Sequence, residues 1–288
     1  MNALYNLIQG TPEWHAHRVN YRNASETAAV MGVSPWQTPY ELWLVKTGRS
    51  TTKETEAMRY GTATEPAARA AFELESGFVM QPLVMVEGEY SASLDGITLA
   101  GDTILEIKCP YQGQTSELWQ TVHTGSVPQH YMLQVQHQLM VSKAQCAYLW
   151  VYDGAEGIGL VIAPNHEIFT QIKAAWDAFQ PYLDNDIPPP MTDQDTLIRS
   201  DAVWQQAAYE YLACKAISDD AQTKTDEAKA RLISLTAHSR ESGCGVSVTK
   251  YWKQGNVDYK KVPQLQEVDL ELYRGKMREE VRVTIATI

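Results

Sequence analysis

The run Leu105-Glu106-Ile107-Lys108-Cys109-Pro110 constrains the fold more than any other stretch of this 288-residue chain. Its residues alternate between apolar and charged, and side chains on a β-strand alternate between faces with period two. Leu105, Ile107 and Cys109 therefore enter a core, while Glu106 and Lys108 emerge together into a cleft. An earlier run, Ser93-Leu94-Asp95-Gly96, places an acid 11 residues before Glu106. A hairpin turning near residues 100–102 brings Asp95 alongside Glu106.

The rest of the chain supplies helices and strands around this pair. Asn23 and Glu26 have the spacing of a capping box, ahead of a short helix over 24–31 stopped by Gly32 and Pro35. Residues 39–48 read as a second helix, with Pro39 at its start and Gly48 at its end. Residues 62–76 read as a stronger one, with Pro66 in the first turn, an apolar stripe of Ala67, Ala70, Ala71 and Leu74, and Gly77 as its stop. From 79 to 107, short β-favouring runs separated by Glu-Gly, Asp-Gly and Ala-Gly-Asp read as antiparallel strands. A helix over 127–141, strands over 146–152 and 159–162, and a helix over 166–183 complete this unit.

Ile187-Pro188-Pro189-Pro190 is a boundary, because such a run cannot continue a helix. The expected division is a core over 1–186, a connector over 187–195 and an extension over 196–288. The extension reads as helical over 196–241, broken near 218–223. A β-hairpin follows, built on Val246, Val248, Tyr251, Val257 and Tyr259 with its turn at Gln254-Gly255-Asn256. A helix near 265–277 and a strand over 281–285 end it.

Composition narrows the class. The formal net charge of −11 argues against a protein coated with phosphate contacts, yet metal-binding carboxylates add negative charge, and a small basic channel is compatible with an acidic average. Cys109, Cys146, Cys214 and Cys244 form no CxxC pair, so a reducing compartment is expected rather than a disulfide scaffold or structural zinc. No signal peptide and no membrane span is visible, and a cytoplasmic location is expected. His130 and His137 share a helical face, but no His-Glu-x-x-His pattern accompanies them; core-edge, interface or DNA-contact roles are expected.

Asp95, Glu106 and Lys108 have the chemistry that phosphodiester hydrolysis requires. An attacking water must lose a proton, and the transition state gains charge on its oxygens. Two carboxylates hold magnesium, at Mg–O distances of about 2.0–2.1 Å, with the Ile107 main-chain carbonyl as a further ligand. Lys108 orients the water or stabilises the phosphate. The bland reading is that Asp-Gly is a common turn and Glu-x-Lys a solvated face; the apolar setting of Glu106 and the spacing of Asp95 weigh against it.

Taken in order, Glu13-Trp14-His15 with Arg18, Ser25, Tyr60-Gly61 with Glu65, Ser93 to Gly96, Leu105 to Pro110 and Gln134-Val135-Gln136 resemble the PD-(D/E)xK nuclease superfamily. The resemblance is closer to lambda-type phage exonucleases and YqaJ-like viral recombinases, and covers residues 12 to about 183. Leu94 stands where the wider family often has proline.

The resemblance implies an α+β (α/β) restriction-endonuclease-like core, a central mixed sheet flanked by helices, here with a C-terminal helical and β-hairpin extension. It gives Glu65 a place near a second metal, Gln134 a place lining the site, and Arg18 and Ser25 the terminal 5′-phosphate. It implies a Mg²⁺-dependent 5′-to-3′ exonuclease, with Mn²⁺ as substitute, that degrades one strand of linear double-stranded DNA in phage-type single-strand-annealing recombination. A homotrimeric ring, a single-strand annealing protein as partner and a phage or prophage origin in a bacterial host belong to the same implication.

Two rivals stand beside it: a structure-specific or nicking endonuclease with the same centre, and a noncatalytic DNA-binding or assembly subunit. Trp36, Tyr111 and Trp119 are candidates to stack on a frayed end, or simply packing residues. Lys250, Lys253, Lys260 and Lys261, interleaved with Tyr251, Trp252 and Tyr259, are candidates for backbone contact, or a solvated hairpin.

Overall fold

The computed structural model describes residues 3–5, 7–52, 54–258, 261–265, 268, 273–275, 278 and 280–283. The chain divides into two compact units, Met1–Thr196 and Leu197–Ile288.

The first unit is a mixed sheet with helices on both faces. Its strands are β1 (Ala3–Tyr5), β2 (Arg22–Asn23), β3 (Gln81–Glu87), β4 (Tyr90–Ile97), β5 (Thr103–Lys108), β6 (Cys146–Tyr152) and β7 (Gly157–Ile162). They run in the order β1-β3-β4-β5-β6-β7, with β2 added to β4. Pairing is antiparallel except for β2–β4 and β5–β6. The parallel β5–β6 pair needs a crossover. It is made by α5 (Glu117–His123) and α6 (Gln129–Ser142).

The strand period sorts the core. Leu105, Ile107, Trp150 and Tyr152 pack with Ala68 and Phe72 of α4 (Glu56–Ser76). Ala92, Leu94, Ile104, Leu149 and Val151 pack with Trp119 and Val122 of α5 and Val135 and Leu139 of α6. Behind α6, its Leu133 and Met140 meet Ala29 of α2 (Thr27–Val30), Leu42 and Trp43 of α3 (Pro39–Lys46), and Ile172, Trp176 and Phe179 of α7 (His166–Asp184). Helix α6 is thus covered on most sides, which explains its three consecutive buried polar residues, Gln136, His137 and Gln138.

One irregularity positions the site. Between the pairs Gln81↔Ile97 and Leu83↔Leu94, β3 advances two residues while β4 advances three, so β4 bulges at Asp95–Gly96. A bulge re-aims a side chain and changes the local twist. On the other side β4 meets β5 only at Gly96↔Leu105 and Ile97↔Ile104. Beyond that pair the Asp95 side chain takes over from the ladder, accepting the Ile107 backbone N–H at 2.7 Å. Gly96 is required here: a Cβ would stand 2.7 Å from Met80 Cβ and 3.3 Å from Leu105 Cβ.

Several expectations from the sequence are corrected. Helix α4 begins at Glu56, capped by Thr55, whose hydroxyl accepts the Met58 N–H. Pro66 therefore lies inside the helix rather than in its first turn. Asn23 does not form a capping box; its amide donates to the carbonyls of Arg18 and Tyr21 and to Glu26 Oε2. The reciprocal box belongs to Thr38 and Glu41 at the start of α3.

In the second unit α8 (Ala202–Leu235) is one unbroken helix, and the polar stretch expected to break it is held by Lys215–Asp219 and Lys224–Asp220 pairs one turn apart. The hairpin pairs β8 (Arg240–Gly243) with β9 (Val246–Thr249), turning at Cys244 and Gly245, both at positive φ. The turn expected at 254–256 and the partner strand after it do not form among the described residues, and Tyr259 and Lys260 lie outside them. The final helix and strand fall largely outside the described residues; Pro263–Leu265 is a single 3-10 turn. Among the described residues no helix is long and apolar enough to cross a membrane.

Candidate active site

Glu106, on β5, is buried and accepts three side-chain donors. Its Oε1 takes Lys108 Nζ at 2.5 Å and Gln134 Nε2 at 2.6 Å. Its Oε2 takes Gln138 Nε2 at 2.5 Å. Lys108 follows two residues later on the same face; its side chain is 23 % exposed, with Nζ 3.4 Å from Gln134 Oε1 and 5.0 Å from the centre of the Tyr131 ring. Asp95, buried in the β4 bulge, places Oδ2 on the Ile107 amide and Oδ1 3.4 Å from Gln9 Nε2.

Glu65, on α4, joins this group through an arginine. Arg69 donates to Glu65 Oε1 at 2.6 Å and, through Nε, to the Asp95 main-chain carbonyl at 2.7 Å. Asp95, Glu106, Lys108, Glu65 and Gln134, expected together from the sequence, thus share one cluster built from β4, β5, α4 and α6.

The electrostatics are those of an under-compensated acidic pocket. Burial raises the Asp95 carboxyl well above its usual range, and the charges of Glu106 and Glu65 raise it further against the pull of Lys108 and the Ile107 amide. Glu65 is raised too, first by burial, with Arg69 opposing and Glu106 adding. Burial disfavours the Lys108 ammonium, but Glu106, Tyr131 and Asp95 outweigh it, so its pKa is raised and the amine stays charged.

Among the described residues no three carboxylate, histidine or cysteine side chains stand together as a ready metal cage. The donor chemistry nevertheless fits a hard divalent cation. A carboxylate offers about four lone-pair positions, and Glu106 has three donors while Asp95 has two contacts, one of them long. Acceptor capacity remains on both, in a pocket whose carboxylates repel one another. Asp95, Glu106 and Glu65 would hold such an ion. The Ile107 carbonyl lies on the same strand edge as the N–H that Asp95 accepts, because both backbone groups of a strand residue face one neighbour.

A second cluster lies at the end of α1 (Pro12–Val19). Arg18 donates to Ser25 Oγ at 3.0 Å and to Glu26 Oε1 at 2.9 Å, its guanidinium 4.5 Å from the centre of the Trp14 ring. Glu26 also pairs with the buried Lys46 at 2.7 Å. Trp14 Nε1 donates to Ser93 Oγ, which ties this cluster to β4 two residues before Asp95. Arg18 and Ser25 do meet, and the buried Glu26 shares the same guanidinium nitrogen with Ser25. The short helix expected over 24–31 opens as a 3-10 turn, Ala24–Glu26, and continues as the four residues of α2, too short to add a useful dipole.

The other candidates separate. Trp36 is 68 % exposed and stands edge-on to His130, whose neighbour Tyr131 faces Lys108. Tyr111 is exposed and meets Tyr60 edge-on. Trp119 is corrected: it is buried among Val122, Val135 and Leu149 and cannot stack on DNA. His137 is buried against Thr27, its pKa pushed down to about 3 by burial, so it is a neutral core group. In the second unit Lys250 donates to the Thr236 carbonyl at the end of α8, and Lys253 is exposed. Arg69, Gln138 and Gln9 were missed by the sequence reading. Glu65/Arg69 and Gln134/Gln138 are spaced i, i+4, and that spacing was the available signal.

Residues 13–145 match the profile of the YqaJ-like viral recombinase domain. That match spans a little under half of the chain. All five clustered residues lie within it. An uncharacterized protein, YqaJ of Bacillus subtilis (strain 168), is 31% identical over 136 residues, 45% of this chain and 41% of that one. The chain therefore matches about two fifths of that relative's length. The chain also resembles a solved alkaline exonuclease, LHK-Exo from Laribacter hongkongensis, at 27% identity and a TM-score of 0.53, covering 62% of this chain and 94% of that one. The same enzyme in complex with dAMP matches at 26% identity and a TM-score of 0.53, with the same coverage.

Proposed function

We propose that this protein is a Mg²⁺-dependent 5′-to-3′ exonuclease acting on ends of linear double-stranded DNA. The observation that carries the reading is the pairing of Lys108 with Glu106 beside an Asp95 carboxylate held on the intervening Ile107 amide. Likeness to an alkaline exonuclease supports the same reaction class. That enzyme's complex with dAMP supports mononucleotides as products.

The chain's own residues have defined tasks in this reading. A bound Mg²⁺ supplies Lewis-acid stabilisation of the phosphate and a more acidic water. Asp95 and Glu106, with Glu65 and the Ile107 carbonyl nearby, hold that ion; Mn²⁺ substitutes because it accepts the same oxygen donors. Burial disfavours the Lys108 ammonium, but Glu106, Tyr131 and Asp95 outweigh it in the metal-free site, so Lys108 enters this reading as a cation. Its ammonium orients the attacking water and offsets charge on the phosphoryl oxygens. Gln134 donates to Glu106 and accepts from Lys108, fixing both. Arg18 and Ser25 form the pocket for the terminal 5′-phosphate, to which a guanidinium fork and a hydroxyl are suited.

The biological setting is resection for single-strand-annealing recombination, with an annealing protein as partner. A homotrimeric ring around the duplex reconciles grip with a net charge of −11. The test is digestion of linear duplexes labelled at either end, beside closed circles, with Mg²⁺, Mn²⁺ or EDTA. Loss of the 5′ label first, sparing of circles and silence in EDTA are expected. Prompt cutting of circles replaces this reading with an endonuclease. Inactivity on blunt, recessed and 5′-phosphorylated ends with both metals replaces it with a noncatalytic subunit.

A further inference from the structure

Helix α6 carries two buried glutamines two residues apart, and they are used differently. Gln136 spends both ends of its amide on the backbone: Nε2 donates to the Ala163 carbonyl and Oε1 accepts the Asn165 N–H. It fastens the link between β7 and α7. Gln138 is equally buried, at 0 % exposure. Its Nε2 donates to Glu106 Oε2 at 2.5 Å and to the Ser93 carbonyl at 3.2 Å. Its Oε1 is buried and has no hydrogen-bond partner among the described residues. A fully buried acceptor without a donor is a penalty that folded proteins avoid, and a leucine would fill such a place without it.

We infer that Gln138 is a positioning residue, kept polar in the core in order to fix the second oxygen of Glu106. The inference rests on the nuclease reading for its functional meaning. Lys108 and Gln134 both hold Oε1, on the lysine side of the carboxylate. Gln138 alone among these donors holds Oε2, and its second bond, to Ser93, keys β5 to β4 near the Asp95 bulge. Without it the carboxylate can turn about its terminal torsion, which is broad and roughly two-fold. The relation between Glu106 and Asp95 would then loosen, and groups that orient metal ligands in this way carry about 10–100-fold in metal affinity or activity.

The test separates positioning from packing by thermal melting of metal-free protein and by Mn²⁺ titration. Gln138→Leu is made in the parent and in a Glu106→Leu background, with Gln136→Leu as comparison. In the parent, Gln138→Leu strips a donor from a buried carboxylate and lowers Tm. In the Glu106→Leu background the same change costs only the amide's bond to the Ser93 carbonyl, and Tm falls by much less. A shift of the same sign and size in both backgrounds overturns the inference. The half-saturating Mn²⁺ concentration should rise about 10-fold or more in Gln138→Leu and stay at the parent value in Gln136→Leu, which lowers Tm alone.

If the Glu106→Leu background does not fold, the Mn²⁺ comparison decides by itself. A parent that binds no Mn²⁺ and cleaves nothing defeats the nuclease reading, while the melting cycle still judges Gln138. A parent that binds and cleaves, with Gln138→Leu identical to it in Mn²⁺ affinity, defeats the positioning role and leaves the nuclease reading intact.

Discussion

Replacing Gly96 with alanine tests whether the β4 bulge builds the site. The added Cβ would lie 2.7 Å from Met80 Cβ and 3.3 Å from Leu105 Cβ. Both neighbours are buried, and both contacting atoms are fixed to backbone, so no side-chain rotation relieves the clash. Carbon atoms rest at about 3.5–4.0 Å, so β4 must move from its neighbours by roughly 1 Å. Overpacking of this kind costs about 1–3 kcal/mol, which lowers Tm by roughly 2–12 °C for a unit of this size. Asp95 is the preceding residue, and its carboxylate spans the same gap to the Ile107 amide. A 1 Å error in a catalytic group costs on the order of 100-fold, so cleavage should fall much further than stability. Scanning calorimetry reads the loss of Tm, and single-turnover cleavage of a 5′-phosphorylated duplex at a temperature where both proteins are folded reads the loss of rate. A variant with the parent's Tm and the parent's rate would refute the claim that close packing at Gly96 sets Asp95.

Lys108→Ala should reduce cleavage by at least about 100-fold while duplex binding survives, measured by turnover and gel shift; equal turnover removes Lys108 from the chemistry. Arg18→Ala should erase the rate preference for a 5′-phosphate over a 5′-hydroxyl end, and an unchanged ratio sinks the pocket assignment. The Asp95 carboxyl is raised in the folded protein, so folding binds its proton. Its contribution is therefore present at low pH and is lost as pH rises through the raised value. Metal-free protein should lose Tm as pH climbs from the ordinary carboxylate range, and Asp95→Asn should flatten that fall; a parent whose Tm rises in parallel with the variant contradicts it.

The strand pair and its charged face were legible because period two leaves few choices for Leu105 to Lys108. The turn returning β5 to β4 was legible for the same reason, since Gly101 and Asp102 follow an apolar run. The bulge was not, because a one-residue shift depends on what β3 pairs with and leaves no local signature beyond a glycine. Helix α4 was read six residues short, because Gly61 and Pro66 are unfavourable inside a helix. The Thr55 cap, with Glu56 in the first turn, outweighs them. Trp119 could not be assigned from sequence, because an aromatic on a short helix serves core and surface equally well; packing against Val122 and Leu149 decided it. Glu26 was the hidden element of the Arg18 cluster. Its pairing with Lys46 joins residues 20 apart, and nothing local announces it.

The same contacts that assemble the site join elements that otherwise meet weakly. β4 and β5 share only two residue pairs, and past them the strands are linked by Asp95 on Ile107 and by Gln138 between Ser93 and Glu106, while Arg69 ties Glu65 of α4 to the Asp95 carbonyl. Every one of these links ends on a carboxylate or on backbone beside one. The cluster therefore pulls the sheet and two helices together through charge-assisted bonds while its own carboxylates repel. A bound divalent cation would relieve that repulsion without removing the bonds, so metal should stiffen β4, β5, α4 and α6 together rather than a single loop. The position of the acids where the ladder opens is what joins stability to function in this domain: a regular β4–β5 ladder would be the more stable sheet, and it would leave Asp95 no gap in which to work.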